Sequence, residues 1–214
     1  MQKIIGVYGA SGFGRSVLPL VREQYANIKL CYIDDGSPVN EQNGYAIYTY
    51  QEYLDLPYTD KSVVFAIANS KIREALAAKC KKDNLTNLPV KASNSIVFDG
   101  NEIGEGSLMC HFTQLTSNIK IGKQFHLNIY SSVGHDCVIG DYVTFAPGVR
   151  CNGNIHIKDH AYIGTGVVIK QGTPEKPLVI GEGAVVGMGA VVTKDVPAGA
   201  VVVGNPAKPF VKSS

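Results

Sequence analysis

The chain has 214 residues, 45% of them hydrophobic, and its 20 Lys+Arg against 18 Asp+Glu give a formal net charge of +2. A chain of this length can bury one large core or two small ones, and the absence of a basic run or of a basic stripe interleaved with aromatic residues argues against a nucleic-acid partner. No apolar run approaches the roughly 18 residues of a membrane span, and the N-terminus lacks a signal-peptide pattern, so we expect a cytoplasmic protein without membrane insertion.

The first 90 residues predict a small parallel α/β sheet. The predicted elements are, in chain order, a strand over 3–8, a turn over 9–14, a helix to about Glu23, a strand over 29–34, a helix over 49–56, a strand over 62–69 and a helix capped by Ser70. The last strand is a continuous apolar run, which is typical of a parallel strand covered on both faces. Because strands alternate with helices, we assign residues 1–90 to one α/β domain.

The turn GASGFG, residues 9–14, is the first candidate binding element. Its glycines let the backbone approach a phosphate at the start of a helix. Asp34 and Asp35 end the next strand, where an acid can reach a ribose or a base. The glycine order differs from G-x-G-x-x-G and argues against NAD, so another nucleotide is the favoured ligand and a purely structural turn is the alternative.

From Val97 onward the chain repeats with a period of six residues. Sixteen blocks open with an apolar residue, and a five-residue insertion at 175–179 interrupts them without changing the phase afterwards. Gly fills the second place in seven blocks, where we expect turns with unusual backbone angles. The fifth place is small or β-branched at Ser107, Thr113, Ser131, Val143, Ala161, Thr173, Ala184 and Ala190. No helical period produces this pattern, which predicts a solenoid of short strands over residues 91–203, followed by a tail over 204–214.

His135 and Asp136 occupy the third and fourth places of the block VGHDCV and lie outside the predicted core. One coil later, Gly153 stacks over His135 and leaves room for a ligand beside an exposed backbone N–H. Adjacent parallel strands lie about 4.8 Å apart, so this N–H can polarise an oxygen while the imidazole acts on the neighbouring atom. The arrangement indicates acyl transfer, and a solvated turn histidine is the alternative.

The other histidines and the cysteines do not predict a metal site. The histidines fall in third, sixth, sixth and fourth places: His111, His126, His156 and His160. His111 is therefore expected on another face from His135. The five cysteines are an odd set without a C-x-x-C pair, which predicts free thiols in a reducing compartment, with Cys137 and Cys151 in the core.

Six segments carry a closer resemblance. They are GASGFG (9–14), IDD (33–35), AIANSKIR (66–73), NIYSSVGHDCVIGDYVTFAPG (128–148), CNGN (151–154) and GNPAK (204–208). Together they resemble the bacterial nucleotide-sugar N-acetyltransferases of the hexapeptide-repeat family, from about Lys3 to Lys208. The resemblance implies an α/β Rossmann-like N-terminal domain followed by a left-handed parallel β-helix. It also implies transfer of acetyl from acetyl-CoA to the C-4 amine of a dTDP-, GDP- or UDP-linked 4-amino-4,6-dideoxyhexose for surface-glycan synthesis.

The resemblance further implies roles for particular residues. His135 matches a general base for the sugar amine, Asp136 matches an acid that orients the imidazole, and Gly153 matches the N–H donor to the thioester oxygen. Several relatives have Glu where this chain has Asp136. The residues that match nucleotide-sugar contacts are Ser11, Gly12, Phe13, Asp34, Asp35, Asn69 and Asn128. The residues that fall where relatives meet acetyl-CoA are Thr165, Met188 and Lys208, together with Thr144, which replaces a second histidine of some relatives near the acetyl group.

A single prism of stacked coils has flat faces and no deep cleft. The resemblance implies a homotrimer with one site at each interface. The spacing of the histidines predicts no metal cofactor. Two other functions stay open at this point. One is a sialic acid-type sugar O-acetyltransferase, and the other is a non-catalytic scaffold that binds a nucleotide sugar.

Overall fold

The computed structural model describes residues 2–210 and separates into two compact units, Met1–Ser93 and Asn94–Ser214. The sequence places the boundary at 90/91, slightly earlier. The structure keeps the segment around Lys91 in the first unit because the Lys91 N–H donates to Gln24 Oε1 at 2.7 Å. Residues 211–214 of the predicted tail lie outside the described part of the chain.

The N-terminal unit alternates strands and helices as predicted. Its elements are β1 (Lys3–Tyr8), α1 (Gly12–Gln24), β2 (Lys29–Ile33), β3 (Glu41–Gln42), β4 (Tyr45–Tyr48), α2 (Tyr50–Asp55), β5 (Asp60–Phe65), α3 (Ser70–Lys82), β6 (Thr86–Asn87) and β7 (Val90–Lys91). The strand predicted over 62–69 ends at Phe65, because the last apolar residues of that run form the turn into α3. The short hairpin of β3 and β4 has no counterpart in the sequence prediction.

The sheet has the strand order β3-β4-β2-β1-β5-β6. β1 lies in the middle and pairs in parallel with both β2 and β5. Its side chains are buried almost throughout, and α1 buries Val17, Leu18 and Val21 at helical spacing. After β1 the chain builds β2, β3 and β4 on one side of β1 and then crosses to build β5 and β6 on the other side. The strand order therefore reverses at the carboxyl ends of β1 and β5.

Helix α3 is capped by Asn69 rather than by Ser70, so the predicted cap was wrong by one residue. The Asn69 side chain accepts hydrogen bonds from the N–H groups of Lys71 and Ile72, both at 3.1 Å. Ser70 is the first helical residue. Asn accepts hydrogen bonds from the first N–H groups of a helix as well as Ser does. The propensity of the two residues therefore does not distinguish them, and the position of the helix start after β5 makes Asn69 the cap.

Arg73 of α3 is fully buried, and replacing it with alanine should destabilise the fold. Its Nη1 donates to the carbonyl oxygens of Ile67 at 2.6 Å and Ala68 at 3.2 Å, which lie in the turn after β5. Removing a buried charged donor leaves these acceptors unsatisfied, at a cost on the order of 2–3 kcal/mol. Urea denaturation followed by circular dichroism should show a lower midpoint for Arg73→Ala. Lys71→Ala, on the exposed face of the same helix, should unfold like the wild type, and equal midpoints for the two variants would contradict the prediction.

The C-terminal unit consists of short strands at regular intervals. They are β8 (Ile96–Val97), β9 (Glu102–Ile103), β10 (Leu108–Met109), β11 (Gln114–Leu115), β12 (Lys120–Ile121), β13 (His126–Leu127), β14 (Ser132–Val133), β15 (Val138–Ile139), β16 (Thr144–Phe145), β17 (Arg150–Cys151), β18 (Ile155–Ile157), β19 (Tyr162–Ile163), β20 (Val168–Ile169), β21 (Leu178–Ile180), β22 (Val185–Val186), β23 (Val191–Val192), β24 (Val201–Val203) and β25 (Lys208–Pro209).

These strands form a left-handed parallel β-helix with three faces. The first face contains β10, β13, β16, β19, β22 and β24, the second β8, β11, β14, β17, β20 and β23, and the third β9, β12, β15, β18 and β21. Residues 18 apart pair from coil to coil, as Leu115 does with Val133 and Val133 with Cys151. The insertion lengthens one step, so that Ile157 pairs with Ile180. The last strand, β25, runs antiparallel to β24 within the predicted tail.

The repeat predicts the core correctly, with exceptions that have physical causes. The apolar residues that open the blocks are buried from Met109 onward, whereas Val97 and Ile103 lie in the first coil, which has no coil beneath it. The small residues of the fifth place are buried as well. Thr173 is the exception and is exposed, because the insertion carries it away from the core. Cys137 and Cys151 are buried in the core as predicted.

The unusual backbone angles lie at the fourth place of the blocks, not at the second as predicted. Fourth-place residues with positive φ are Gly100, Gly106, Phe112, Asn118, Gln124, Tyr130, Asp136, Tyr142, Gly148, Asn154, His160, Gly166, Gly183 and Gly189. The second-place glycines have a different reason. A Cβ on Gly134, for example, would lie 2.5 Å from the carbonyl carbon of Asn152, so close stacking of successive coils excludes a side chain there.

Candidate functional site

His135 and Asp136 lie in the turn between β14 and β15, where the second face meets the third; we call this edge the His135 corner. The imidazole Nδ1 is 2.7 Å from Asp136 Oδ2, and both side chains are about half exposed. The φ of Asp136 is 57°, a left-handed conformation that Asp tolerates better than most residues. Because the carboxylate accepts a hydrogen bond at Nδ1, it holds the tautomer in which Nε2 carries the free lone pair.

Gly153 lies one coil above the imidazole, as the repeat predicted. A Cβ on Gly153 would lie 2.5 Å from His135 Nε2, so the ring packs against the bare backbone of this residue. The neighbouring backbone is fixed by the Asn154 N–H, which donates to the His135 carbonyl at 2.9 Å. Within residues 2–210 the Gly153 N–H has no acceptor. The corner therefore holds a hydrogen-bond donor without an acceptor beside the imidazole, although Gly153 is buried under the ring and not exposed as the repeat predicted.

The two cysteines nearest this corner are not suited to act as nucleophiles. Cys137 and Cys151 point into the core and are 0% and 2% exposed. The hydrogen bond between the two thiols, together with burial, raises the pKa of Cys151, while the same hydrogen bond lowers the pKa of Cys137, whose complete burial keeps it from a substrate. This arrangement favours direct transfer over a covalent thiol intermediate.

The remaining histidines lie away from the His135 corner. His111 lies where the first face meets the second, with Nδ1 2.8 Å from Asn94 Oδ1, which agrees with the prediction of a different face. His126 is buried in β13, and His160 stacks on Tyr142 at another corner. His156 lies on β18, where burial lowers its pKa. The described residues contain no group of three or more His, Cys, Asp or Glu side chains that could hold a metal ion.

Apart from Gly153, the predicted acetyl-CoA residues do not meet His135 within one chain. Thr165 and Met188 lie in turns between the first and second faces, the same corner as Asn128, and Met188 is 81% exposed. Thr144 lies on the first face in β16 and is buried, and Lys208 lies in β25. The second face separates this corner from the His135 corner.

The Gly-rich turn joins β1 to α1 in the N-terminal unit. A Cβ on Gly14 would lie 1.8 Å from the Gly9 carbonyl oxygen, and Gly9 itself has a φ of 103°, so both positions need glycine for the turn to close. Gly12, by contrast, could carry a Cβ, which would lie 3.9 Å from the Arg15 side chain. Ser11 is the N-cap of α1 but makes no side-chain cap, and Gly12 and Phe13 begin the helix. Such a helix start can receive a phosphate.

Asp34 and Asp35 both have partners inside the protein that sequence reasoning missed. Asp34 accepts from the N–H of Ala10 at 2.9 Å and thereby holds the Gly-rich turn. Asp35 accepts from the Tyr8 hydroxyl at 2.7 Å and from the Tyr50 N–H at 2.8 Å. Burial, reinforced by the Asp35 carboxylate, raises the pKa of Tyr8. Asp35 therefore joins β1 to the start of α2, and Asp34 is the acid that remains at a cavity.

That cavity has a volume of about 480 Å³, which suits a small ligand group. It is lined by Asp34, Ser37, Pro38, Val39, Asn40, Ile47, Tyr48, Thr49 and Glu52. Apart from Asp34, none of these residues belongs to a motif, so the sequence carried no signal for them.

The turns after β1 and β5 lie side by side at the carboxyl edge of the sheet. The Ala66 N–H donates to the Tyr8 carbonyl at 2.9 Å, and a Cβ on Gly9 would lie 3.0 Å from the Ala66 carbonyl oxygen. Open α/β sheets bind ligands at the point where the strand order reverses. Asn69 is exposed at this edge, although its side-chain oxygen Oδ1 already accepts the two hydrogen bonds that cap α3. The topology thus brings together the Gly-rich turn, Asp34 and Asn69.

Within the described residues, no helix combines the length and the apolar character that crossing a membrane requires. Residues 4–80 match the PglD N-terminal domain, and residues 118–153 match the bacterial transferase hexapeptide (six repeats). The GDP-perosamine N-acetyltransferase of Escherichia coli O157:H7 is 44% identical over 99% of this chain and 98% of its own length. The structure of WeeI from Acinetobacter baumannii AYE is 62% identical, covers 97% of this chain and 100% of its own, and has a TM-score of 0.96.

The acetyltransferase domain of PglB from Neisseria gonorrhoeae FA1090, solved in complex with acetyl coenzyme A, is more distant. It is 26% identical, with a TM-score of 0.88 over 98% of this chain and 99% of its own. The two matched domains occur in the same order as the two sites described above. The Gly-rich turn and Asp34 lie in the N-terminal match, and the His135 corner lies in the hexapeptide match. The chain belongs to the nucleotide-sugar N-acetyltransferases, acetyl-CoA-dependent enzymes that join a PglD-type N-terminal domain to hexapeptide repeats.

Proposed function

We propose that the protein acetylates the C-4 amine of GDP-perosamine, a nucleotide-linked 4-amino-4,6-dideoxyhexose, for the synthesis of a surface glycan in the cytoplasm. The observation that carries the chemistry is the His135–Asp136 pair, 2.7 Å apart, beneath the Gly153 N–H. The similarity to the Escherichia coli enzyme supports GDP-perosamine as the acceptor. The five buried free thiols support a reducing compartment.

In the proposed mechanism His135 is the general base. The sugar amine attacks the thioester carbonyl carbon, and its proton passes to His135 Nε2. The Gly153 N–H donates to the oxygen, which becomes negatively charged in the tetrahedral intermediate. The intermediate then collapses, the C–S bond breaks, and the departing thiolate of CoA takes up the proton. Asp136 keeps the ring in the tautomer that this sequence of steps requires.

The N-terminal unit binds the nucleotide sugar in this proposal. Its phosphates lie at the start of α1 beside Ser11, Gly12 and Phe13, where backbone N–H groups favour an anion. The base occupies the cavity next to Asp34. Asp35 supports that cavity from behind, through Tyr8 and the start of α2. The residues proposed to contact the sugar are Asn69 of the N-terminal unit and Asn128 of the C-terminal unit.

We propose that the protein is a homotrimer, and the separation of the two corners supports an assembly of several copies. Thr165 and Met188 lie across the second face from His135, so in this proposal a second copy supplies them, together with Lys208 and the first face that carries Thr144. The aromatic side chains of Phe112 and Tyr130 support an interface near that corner, since they stack with ring centroids 5.1 Å apart and are 58% and 54% exposed. Sedimentation at assay concentration should give the mass of a trimer, and a fully active monomer would refute the shared site.

A panel of GDP-, dTDP- and UDP-linked 4-amino sugars tests the proposed activity. Single-turnover mass spectrometry with acetyl-CoA should show one acetyl group gained, with the highest kcat/KM for GDP-perosamine. A higher kcat/KM for a dTDP- or UDP-linked sugar would mean that the acceptor is a different nucleotide sugar, while the N-acetyl transfer itself would stand. Acetylation of a sialic acid-type hydroxyl instead would favour O-acetyl transfer, and binding without turnover of any acceptor would favour a scaffold.

Asp136→Asn should lower kcat by roughly 10- to 100-fold, less than the loss of the imidazole itself, because it disturbs the orientation of the ring and leaves the imidazole present. Asn tolerates the left-handed backbone at this position, so the turn is preserved. The matched control is Asp159→Asn in the turn between the third and first faces, where the carboxylate accepts from the Asp141 N–H at 2.8 Å. Steady-state kinetics should show unchanged kcat for the control, and equal effects of both substitutions would remove the orienting role.

A further inference from the structure

The insertion in the hexapeptide repeat builds a basic cavity at the His135 corner. This cavity has a volume of about 630 Å³ and lies between the insertion and the next turn along the corner, residues 193–195. Its lining includes Lys170, Lys176 and Lys194. None of these lysines belongs to the catalytic pair or to the residues proposed above to contact a substrate.

The cavity starts one coil above Gly153. The Gly172 N–H donates to the Gly153 carbonyl at 3.1 Å, and the Leu178 N–H donates to the Asn154 carbonyl at 3.2 Å. The insertion and the segment that leads into it therefore both rest on the turn that carries the proposed thioester donor. With about 4.8 Å between coils, the three lysines lie within roughly 10–15 Å of His135 along the corner.

Hydrogen bonds give the insertion a defined shape. Thr173 and Lys176 exchange two backbone hydrogen bonds, at 3.1 and 3.2 Å, and the Thr173 hydroxyl accepts from the Lys176 N–H as well. The far wall is held by Asp195, whose carboxylate accepts from the Val179 N–H at 2.9 Å. The insertion is thus a closed hairpin that fixes where Lys176 leaves the backbone.

The charge of the cavity selects its ligand. Lys170, Lys176 and Lys194 form no ion pair with any of the described residues, and Asp195 supplies the lone carboxylate in the lining. Clustered ammonium groups without acidic partners attract a polyanion. A phosphate-bearing ligand matches this excess of positive charge, and lysines bind phosphates as point charges.

We infer that this cavity binds the phosphate groups of the acyl donor. The inference rests on the proposed function in one respect, the position of the thioester at Gly153. Coenzyme A carries its thiol on a long arm that ends in a pyrophosphate and a 3′-phosphate. With the thioester at Gly153, an arm that runs along the His135 corner brings these phosphates to Lys170, Lys176 and Lys194. The insertion is then a specificity element that distinguishes coenzyme A from donors without phosphates.

Acetyl-CoA and S-acetylpantetheine, which has the same thioester but no phosphates, provide the test. In the double variant Lys176→Ala/Lys194→Ala, the ratio of kcat/KM for acetyl-CoA to that for S-acetylpantetheine should fall by about three- to tenfold, the expected loss for two exposed charge pairs. Lys158→Ala, an exposed lysine at another corner, is the control and should leave the ratio unchanged. Restoring the charge with Lys176→Arg/Lys194→Arg should recover most of it.

Two results would overturn the inference. One is an unchanged ratio in the double variant. The other is a rise in KM for the nucleotide sugar alone, which would show that the cavity binds the diphosphate of the nucleotide sugar and not the phosphates of coenzyme A. Calorimetry with free coenzyme A and no acceptor separates this inference from the proposed function. Weaker binding of coenzyme A to the double variant supports the cavity even if GDP-perosamine is not acetylated, and equal binding rejects it even if GDP-perosamine is.

Discussion

Replacing His135 with alanine should lower kcat by roughly 10²- to 10⁴-fold while both substrates still bind, the usual loss for a positioned proton acceptor. The attacking amine must lose a proton, and Nε2 is the basic nitrogen next to the Gly153 donor. The imidazole is half exposed, and its side chain bonds to Asp136, so the stability of the variant should stay within about 0.5 kcal/mol of the wild type. The loss should therefore appear in turnover and not in folding.

The pH profile sharpens this experiment. The alanine variant should recover part of its rate at high pH, where free sugar amine accumulates and needs no base. His160→Asn is the matched control, because it removes a turn histidine at another corner and Asn tolerates the φ of 61° found there. Wild-type turnover in a folded His135→Ala protein would remove the general-base role and leave a site that only positions an already deprotonated amine.

Replacing Gly153 with valine should reduce turnover with acetyl-CoA at least 100-fold, through loss of both the oxyanion donor geometry and the position of the base. The new Cβ would lie 2.5 Å from His135 Nε2 and 2.6 Å from Cε1, so the ring must move away. The ring can do so because it is half exposed, and the protein should fold with little loss of stability. Binding of the nucleotide sugar, measured by calorimetry, should stay near the wild-type value.

The double variant Gly153→Val/His135→Ala separates the two effects of the valine. If the valine acts by displacing the imidazole, its effect should be much smaller in the alanine background, because neighbouring residues in one unit are not additive. Full additivity would show that the valine blocks only the thioester. Normal turnover together with an unaffected KM for acetyl-CoA would contradict the stacked geometry altogether.

The sequence determined the parts of this protein that repeat. A period of six residues sets which side chains point inward and which residues lie 18 apart in neighbouring coils, so the core and the position of Gly153 over His135 could be predicted without a structure. It also predicted the parallel sheet of the N-terminal unit. These features depend on local periodicity, which each block or strand carries in its own residues.

Only the tertiary structure decided the features that depend on contacts outside the repeat. It assigned Asp35 to Tyr8 and to the start of α2, and it made Asn69 the cap of α3. It also closed the insertion over Gly153 to form the basic cavity. The contacts of a loop depend on the segments that pack beside it in space, and no spacing along the chain identifies those segments. Stacked coils differ, because each residue contacts the residue 18 positions further along, and this distance can be read from the sequence period.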